Sequence, residues 1–401
     1  MITKQKQLEK KYSQHQQDFI IENVKSFIVT SFSQDSSIRI SKGRISEIHQ
    51  GHLNGNEKRI NGREQLLIPG LIDLHSDALE KAIEPRPNTI FPIELSLLEF
   101  DKNLSAAGIT SMFHCVAFVQ DDSRNRSLRN NNAAKEIIDT IKKLDFVLKS
   151  RAFIHLRFDL LNVDSMDLIK KIIDDNGIDL FSIMDHTPGQ GQFLDLDKYF
   201  EREKQRYKGN RDYLLKEIQE RQAIRNEVTD KQIKELIDYC LAHHIPLASH
   251  DDDSIEKIDK MRGLGISISE FPVAMDLMEY AHDHGIFTAV GSPNILLGGS
   301  HSGNLSAREA IANNCVNIIC SDYLPHSLLH SLFYLECNDI IPLEQAIPLV
   351  TINPAKAVNL DSMIGSIEVG KKADMVLVET RSAIPRVLRT YIDGVEIYKT
   401  I

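Results

Sequence analysis

The middle of the chain alternates short apolar runs with stretches of helical periodicity. Each run is almost continuously hydrophobic, which is typical of strands in a parallel sheet whose two faces are both covered. Eight such runs occur, at residues 68–75, 109–118, 152–160, 180–186, 245–251, 266–272, 287–293 and 317–323. Between several of them apolar residues recur at steps of three and four, as in Ala134, Ile137, Ile138, Ile141, Leu144 and Leu148. Eight strands alternating with helices predict an α/β protein with a (β/α)8 barrel of the TIM type.

The two ends of the chain show a different pattern. Residues 18–67 and 364–401 contain short alternating strands, and turn signals such as Asn61-Gly62 separate those of the first segment. We expect them to form one small composite β-sandwich domain, with the barrel at 68–363 and a flexible arm at 1–17. Residues 193–225 are a charged insertion after the fourth predicted strand, and we interpret them as a solvated face or a lid.

Composition narrows the function classes. The 401 residues include 42% hydrophobic and 26% charged residues, as in soluble globular proteins. The formal net charge of −10 argues against non-specific binding to nucleic acid or anionic membranes. No apolar run reaches the roughly 20 residues of a membrane-spanning helix, and the polar N-terminus lacks the apolar region of a secretory signal. The five cysteines are an odd number without a CxxC motif, so we expect a reduced, cytoplasmic protein.

Candidate metal ligands stand where the apolar runs end. They are His75 and Asp77 at the first run, then Asp159, His186, His250 and Asp322. A single histidine is more often a hydrogen-bonded core residue, and a lone His-x-Asp is equally compatible with a surface turn. In a barrel, however, the carboxyl ends of all strands converge at one mouth. The set as a whole therefore predicts a metal centre at that mouth.

The ligand types suggest both the ion and the reaction. Mixed histidine and aspartate ligands suit Zn²⁺, Mn²⁺ or Fe²⁺ better than Mg²⁺ or Ca²⁺, and we expect zinc. The ligands are numerous enough for two divalent ions, with Asp159 as the bridging group. Such a pair would hold a shared hydroxide, because coordination lowers the pKa of water from about 15.7 to about 7. Asp322 would act as the catalytic carboxylate that moves the proton of that water to the leaving group. The predicted chemistry is hydrolysis without a protein nucleophile or an organic cofactor.

These motifs resemble the metal-dependent amidohydrolase superfamily. The order His-x-Asp, acid, histidine, histidine and a final Ser-Asp is similar to its ligand pattern, and TINPAKAVNL followed by GSIEVGKKADMVLVE resembles its return into the small β-domain. The stretches PGLIDLHSDALEK, SIMDHTPGQGQF, LASHDDD and GSPNILLGGSHSGN resemble the diphosphatases of the carbon–phosphorus lyase pathway of phosphonate breakdown. The resemblance implies hydrolysis of a ribose 1-methylphosphonate 5-triphosphate to the 5-phosphate and pyrophosphate.

Two positions depart from the superfamily pattern. Asp77 stands where a second histidine is commoner, and Asp159 stands where a carboxylated lysine or a glutamate is usual. The diphosphatases share the aspartate, so the resemblance still implies that Asp77 is a ligand. Our count of strands also places Asp159, His186 and His250 one strand earlier than the superfamily does, and we attribute this offset to the strand assignment rather than to the motif.

An acidic protein needs local groups to bind a triphosphate. The glycine-rich loop 298–304 follows the seventh predicted strand, where barrels often bind phosphate through backbone N–H groups, although such a loop can equally be a turn. The resemblance favours Arg86 as a phosphate clamp over an ordinary surface arginine. The predicted substrate-binding residues are Arg86, Arg157, Gln190, Gly299, Ser300, His301, Ser302 and Asn304. We expect Asp251 and His326 to orient the metal ligands.

Two other functions are compatible with the sequence. An amidohydrolase or deaminase acting on a cyclic amide or a nucleobase would share the fold and the metals but would not need a phosphate-binding loop. A non-catalytic scaffold that works by oligomerisation should have lost ligands, whereas all the expected positions are occupied. The expected partner is a small anionic phosphorylated sugar rather than nucleic acid or a membrane, and a homo-oligomer would agree with the habit of the family.

Overall fold

The strands form two separate sheets in the computed structural model, which describes residues 16–119, 128–175, 177–189, 200, 210–299, 305–380 and 384–400. The chain begins with β1 (Phe19–Ile28), β2 (Ser31–Ser41), β3 (Arg44–Gln50), β4 (Lys58–Asn61) and β5 (Leu66–Pro69). It continues with β6 (Leu71–Ser76), β7 (Ile109–Phe118), β8 (Arg151–Asp159), β9 (Leu180–Met184), β10 (Leu247–His250), β11 (Ile268–Glu270), β12 (Phe287–Gly291) and β13 (Ile318–Cys320). The last strands are β14 (Met375–Glu379), β15 (Arg386–Ile392) and β16 (Val395–Lys399).

Helices lie mainly between the strands of the second group. They are α1 (Ala78–Ile83), α2 (Ile93–Ala106), α3 (Asn131–Leu144), α4 (Met166–Asp174), α5 (Arg211–Glu227), α6 (Asp230–Ala242), α7 (Ile255–Gly263), α8 (Met275–Asp283), α9 (Ser292–Leu297), α10 (Ala307–Ala312), α11 (Ser327–Cys337), α12 (Leu343–Ala346) and α13 (Ile352–Ala357). Two short 3₁₀ helices cover Val163–Ser165 and Ile347–Val350. Within the described ranges, no helix has both the length and the apolar character that crossing a membrane requires.

The predicted barrel is confirmed. Strands β6 to β13 are parallel and lie in chain order, each paired with the next. A parallel bridge between Ser76 and Asp322 brings the chain after β13 back to β6. In this seam Asp322 N donates to His75 O at 3.0 Å, and Asp77 N donates to Asp322 O at 2.6 Å. Because the seam lies at the carboxyl ends of the strands, it places three polar residues of the predicted centre side by side.

The interior of the barrel changes from apolar to polar along the strands. Ala248 and Ile268 belong to a buried apolar cluster that also contains residues of α13. Two residues further along the same strands stand His250 and Glu270. Residues two apart on a strand face the same way, so these side chains also face the interior. Apolar side chains therefore fill one end of the barrel, and polar side chains occupy the other.

Strand β6 is irregular near its end. Its register against β7 shifts between Asp73 and Ser76. Leu74 belongs to the interior apolar cluster, yet the next residue, His75, also faces the interior, with its ring centroid 5.3 Å from that of His155. Regular alternation would place these two neighbours on opposite faces. The bulge therefore turns His75 toward the polar end of the barrel.

Strands from both ends of the chain combine in one mixed sheet, which forms the composite β-domain that the sequence predicts. Its order is β16-β15-β14-β5-β1-β2-β3, with β4 paired to β1. The central contact joins β5 to β14, where Leu66 is opposite Val378 and Pro69 is opposite Met375. The first apolar run, predicted as one strand from residue 68, is divided between the two sheets at Gly70. A side chain at Gly70 would collide with Thr110, at 2.4 Å from its Cγ2, so the chain needs glycine where it leaves one sheet for the other.

A buried network of charges joins the barrel to this mixed sheet. Arg151, the first residue of β8, pairs with Asp374, and its Nη2 lies 2.9 Å from Asp393 Oδ1. Lys372 Nζ donates to the same oxygen of Asp393 at 2.7 Å. All four side chains are almost fully buried. The network therefore fixes the start of β8 to the loop before β14 and to the turn after β15.

Of the charged insertion at 193–225, only Phe200 and residues 210–225 fall in the described ranges. Helix α5 buries Leu214 and Ile218 and leaves most of its other side chains exposed or half-buried. Near its end, Arg225 Nε donates to Asp185 Oδ2 at 2.7 Å, and Gln222 Nε2 donates to Pro188 O at 3.2 Å. The helix is thereby attached to the segment that follows β9 and carries His186.

Candidate metal centre

A cavity of about 280 Å³ opens at the polar end of the barrel. Its lining includes His75, Asp77, Arg157, His250, Asp251 and Asp322. These residues come from β6, β8, β10 and the segments that follow β6, β10 and β13. The strand ends thus bring together residues more than 240 positions apart in the sequence, as the barrel predicts.

Glu270 is the buried carboxylate at the base of this site. Its Oε1 lies 2.9 Å from His75 Nδ1, and its Oε2 lies 3.8 Å from His155 Nε2. Oε2 is buried and has no hydrogen-bond partner among the described residues. Burial acts to raise the pKa of Glu270, but the neighbouring His75 and His155 outweigh it and hold that pKa below its usual range. The site therefore contains an ionised carboxylate oxygen that lacks a partner.

The donors around Glu270 fit a divalent metal ion. Ligand atoms of His75, His250 and Glu270 all lie within 4.8 Å of one another, and all three residues are buried. Two histidines and a carboxylate are a ligand set that zinc enzymes use, with a further position left for water or substrate. A metal ion there would also satisfy Glu270 Oε2, because a buried charged oxygen is costly without a partner. We conclude that the residues present fit such an ion.

A second group of donors is less suitable for binding a metal ion. Cys115 and His155 approach His75 within the same limit. Both ring nitrogens of His155 are already engaged, Nδ1 with Leu74 O and Nε2 with Ser182 Oγ, each at 2.9 Å. Burial lowers the pKa of His155 to about 3 and raises that of the Cys115 thiol well above its usual value. Because both nitrogens of His155 are already hydrogen-bonded, this group is better described as a hydrogen-bonded layer beneath the first.

Arg157 occupies the space between two predicted ligands. Its Nη1 donates to both oxygens of Asp77, at 2.8 and 3.0 Å, and its Nη2 lies 3.0 Å from His250 Nε2. Arg129 Nη2 is 3.9 Å from the same carboxylate of Asp77 and also binds Glu80. Burial acts to raise the pKa of Asp77, but the charges of Arg157, His75 and Arg129 outweigh it and keep the carboxylate ionised. Asp77 is therefore the counter-ion of an arginine in this structure.

Asp159 and His186 form a separate pair. His186 Nδ1 lies 2.7 Å from Asp159 Oδ2, and Asp159 Oδ1 accepts a hydrogen bond from Leu161 N at 3.0 Å. The His186 ring is 6.4 Å, centroid to centroid, from that of His250. Neither member of the pair belongs to a group of three close donors within the described residues. The structure thus brings them to the mouth of the barrel but not to the cluster around Glu270.

Asp322 stands beside the seam of the barrel. Its backbone adopts a left-handed conformation with φ of 58°, held by the hydrogen bonds to residues 75 and 77. Burial raises the pKa of its carboxyl group, and the nearby Asp77 adds to the effect, whereas His75 opposes it. Its side chain lines the cavity. A carboxylate with a raised pKa at this position is suited to accepting a proton.

The other predicted residues divide into three sets. Asp251 lies next to the centre, with Oδ2 3.1 Å from His250 Nδ1, and Gly299 lines the cavity. Arg86 and His326 are exposed, in the turn after α1 and just before α11. Gln190, Ser300, His301, Ser302 and Asn304 lie outside the described residues.

Glu270 is a candidate ligand outside the set predicted from the sequence. The run 266–272 was recognised as a strand, but its glutamate was not assigned to the centre. The available signal was its placement, because Glu270 follows Ile268 as His250 follows Ala248. The offset from the superfamily pattern is not an error of strand assignment, since His186 follows the fourth barrel strand and His250 ends the fifth.

Comparisons with known proteins identify related sequences and related folds. The amidohydrolase family model matches residues 222–397. The alpha-D-ribose 1-methylphosphonate 5-triphosphate diphosphatase of Escherichia coli (strain K12) is 34% identical over 362 residues, which cover 89% of this chain and 94% of that protein. Among solved structures, a prolidase complexed with N-methylphosphonate-L-proline superimposes with a TM-score of 0.63 at 15% identity, covering 96% of this chain and 100% of the other. L-hydantoinase from Arthrobacter aurescens gives 0.61 at 13% identity, with 96% of each chain covered.

The two structural likenesses show the barrel fold alone, since their sequence identities are low. The relative from Escherichia coli shows more, because it is similar over almost its entire length. The chain therefore belongs to the amidohydrolase family of hydrolases.

Proposed function

We propose that the protein hydrolyses alpha-D-ribose 1-methylphosphonate 5-triphosphate to the 5-phosphate and pyrophosphate in phosphonate breakdown. The observation that carries this proposal is the 34% identity to a diphosphatase of that name over 89% of this chain. The cavity at the barrel mouth supports a hydrolytic reaction, because His75, His250 and the carboxyl group of Asp322 line it together. We place the reaction in the cytoplasm, in keeping with five free cysteines, four of them buried.

We propose zinc as the metal, held by His75, His250 and Glu270. A divalent ion supplies Lewis-acid polarisation of a phosphoryl oxygen and lowers the pKa of water. The protein contributes a preorganised arrangement of charges, because the donors are buried and fixed by the strands that carry them. Their burial strengthens every electrostatic interaction with the triphosphate.

Asp322 is the proposed proton acceptor. In the reaction, the oxygen of water forms a bond to the α-phosphorus while the bond from this phosphorus to the bridging oxygen of the pyrophosphate breaks. Asp322 takes a proton from the water and returns it to the departing oxygen. The raised pKa of its carboxyl group favours this exchange. The loop 298–304 is proposed to bind the departing phosphates through backbone N–H groups, as phosphate loops in barrels do.

Phosphorus NMR of the triphosphate incubated with the zinc-loaded protein tests this function. We expect a pyrophosphate signal from the wild type and a rate at least about 100-fold lower for Asp322→Asn, because the general base is lost. Asparagine tolerates the left-handed backbone of residue 322, so the fold should be preserved. Asp339→Asn is the matched control, since Asp339 is exposed and has a similar φ of 54°. This control should retain full activity.

An unchanged triphosphate spectrum with the wild type would refute the proposed substrate. Hydrolysis of dihydropyrimidines or deamination of nucleobases under the same conditions would then favour the amidohydrolase alternative. One observation favours that alternative. Over 42 residues this chain is 45% identical to a 5-methylthioadenosine/S-adenosylhomocysteine deaminase of Moorella thermoacetica. The match covers only 10% of the chain, so we rank the diphosphatase first.

A further inference from the structure

The charge of Arg157 lies inside the predicted metal centre. A two-ion centre, as the sequence suggested, needs a second set of close donors. Within the described residues, the two groups of three donors both depend on His75, and Asp77, Asp159 and Asp322 belong to neither. The described residues thus offer one good donor set and not two.

The position expected for a second ion is already filled. Arg157 joins Asp77 to His250, two of the residues that the sequence predicts as ligands. The guanidinium uses both oxygens of Asp77 and approaches the imidazole at 3.0 Å. Its side chain is almost fully buried and arises from a barrel strand, so it has little freedom to leave. A buried guanidinium stays protonated, because it cannot release its proton at any ordinary pH.

Electrostatics disfavours adding a divalent ion beside this group. An ion bound to Asp77 would lie within a few ångströms of a permanent positive charge in a site of low polarity, where repulsion is strong. Asp77 also feels the field of Arg129, so its single negative charge already faces two cations. The candidate bridging group is absent from this position as well, since Asp159 is held by His186.

We propose that the guanidinium of Arg157 takes the place of a second metal ion, so that the centre holds one divalent ion, with Glu270 as a ligand and Asp77 as the counter-ion of the arginine. The positive charge that a second metal would supply is then part of the protein itself. This inference rests on the metal content of the proposed function and not on its substrate, so it can fail or succeed independently of the diphosphatase assignment.

The test is the number of zinc ions per chain. The full-length protein is loaded with excess zinc, freed of unbound metal by gel filtration, and analysed by inductively coupled plasma mass spectrometry. We expect one ion in the wild type, one ion in Asp77→Asn, and loss of that ion in Glu270→Gln. The two substitutions are matched, because each replaces a buried carboxylate with an amide of the same shape. Circular dichroism checks that each variant is folded.

A wild-type count of two ions would overturn the proposal, and so would loss of the ion in Asp77→Asn with its retention in Glu270→Gln. Asp77→Asn leaves Arg157 buried without its counter-ion and could destabilise the fold. The double variant with Asp77→Asn and Arg157→Met removes both charges together. It should be folded and should still bind at least one ion, whereas a folded double variant without metal would also overturn the proposal.

Discussion

At the scale of single residues, the centre depends on groups that do not touch the cavity. Asp252, two residues after His250, is buried and accepts hydrogen bonds from Ser249 and Ser269. Lys257 Nζ lies 3.5 Å from its other oxygen and donates to the carbonyl groups of His250 and Asp251 at 3.0 Å. Lys257 therefore holds the backbone of His250 in place. Such outer contacts orient metal ligands and influence affinity for the metal.

Replacing Lys257 with methionine should weaken zinc binding by about tenfold, because His250 loses its backbone support. A competition titration against a chromophoric chelator measures the change. Lys260→Met on the same helix is the control, because Lys260 is exposed and binds only Asp230 at 2.6 Å among the described residues. Equal affinities for the two variants would contradict the role of Lys257.

Residue roles were only partly readable from the sequence. His75, Asp77, His250 and Asp322 were predicted to meet, and all four line one cavity. The partner of each could not be predicted, because whether a carboxylate binds a metal or an arginine depends on a neighbour from another strand. Arg157 and Asp77 are 80 positions apart, and no local pattern connects them.

At the scale of elements, the strands were predictable because the barrel buries them on both sides. Their continuous apolar runs distinguish them from the half-exposed strands of the mixed sheet. The division of the first run at Gly70 was not predictable from hydrophobicity, since Leu66–Pro69 and Leu71–Ser76 are equally buried. The bulge in β6 was not predictable either, because it depends on the register of β6 against β7.

Gly108 gives an element-scale prediction at the junction of α2 and β7. Its φ is +79°, and an added Cβ would lie 3.1 Å from Val376 Cγ1 of β14. Gly108→Ala should therefore lower the free energy of unfolding by about 2 kcal/mol, from backbone strain plus crowding. Gly285→Ala is the control, with φ of +75° and no described atom within 4 Å of the new Cβ. It should cost about 1 kcal/mol. Calorimetric melting of both variants measures the difference, and identical losses would rule out the contact with Val376.

At the scale of the whole molecule, the buried charges around Arg151 hold the barrel and the mixed sheet together. Removing one partner of a buried ion pair leaves the others without compensation. Arg151→Met should therefore lower the free energy of unfolding by about 3–5 kcal/mol. Arg389→Met removes a partly exposed pair with Glu396 in the mixed sheet and should cost no more than about 1 kcal/mol. Urea denaturation compares the two, and a similar small loss in both would show that the network contributes little.

The pairing of β5 with β14 has a consequence for how the protein is made. Leu66 pairs with Val378, so β5 must wait for a strand that is synthesised 312 residues later. At ribosomal rates of about 5–20 residues per second, that delay is about 15 to 60 s. For this time the apolar strand Leu66–Pro69 lacks its neighbour on one side, and for most of it the seam between His75 and Asp322 is also incomplete. Nascent chains should therefore be exposed to chaperones and proteases until β14 has been synthesised, and deletion of the segment from β14 to β16 should prevent maturation altogether.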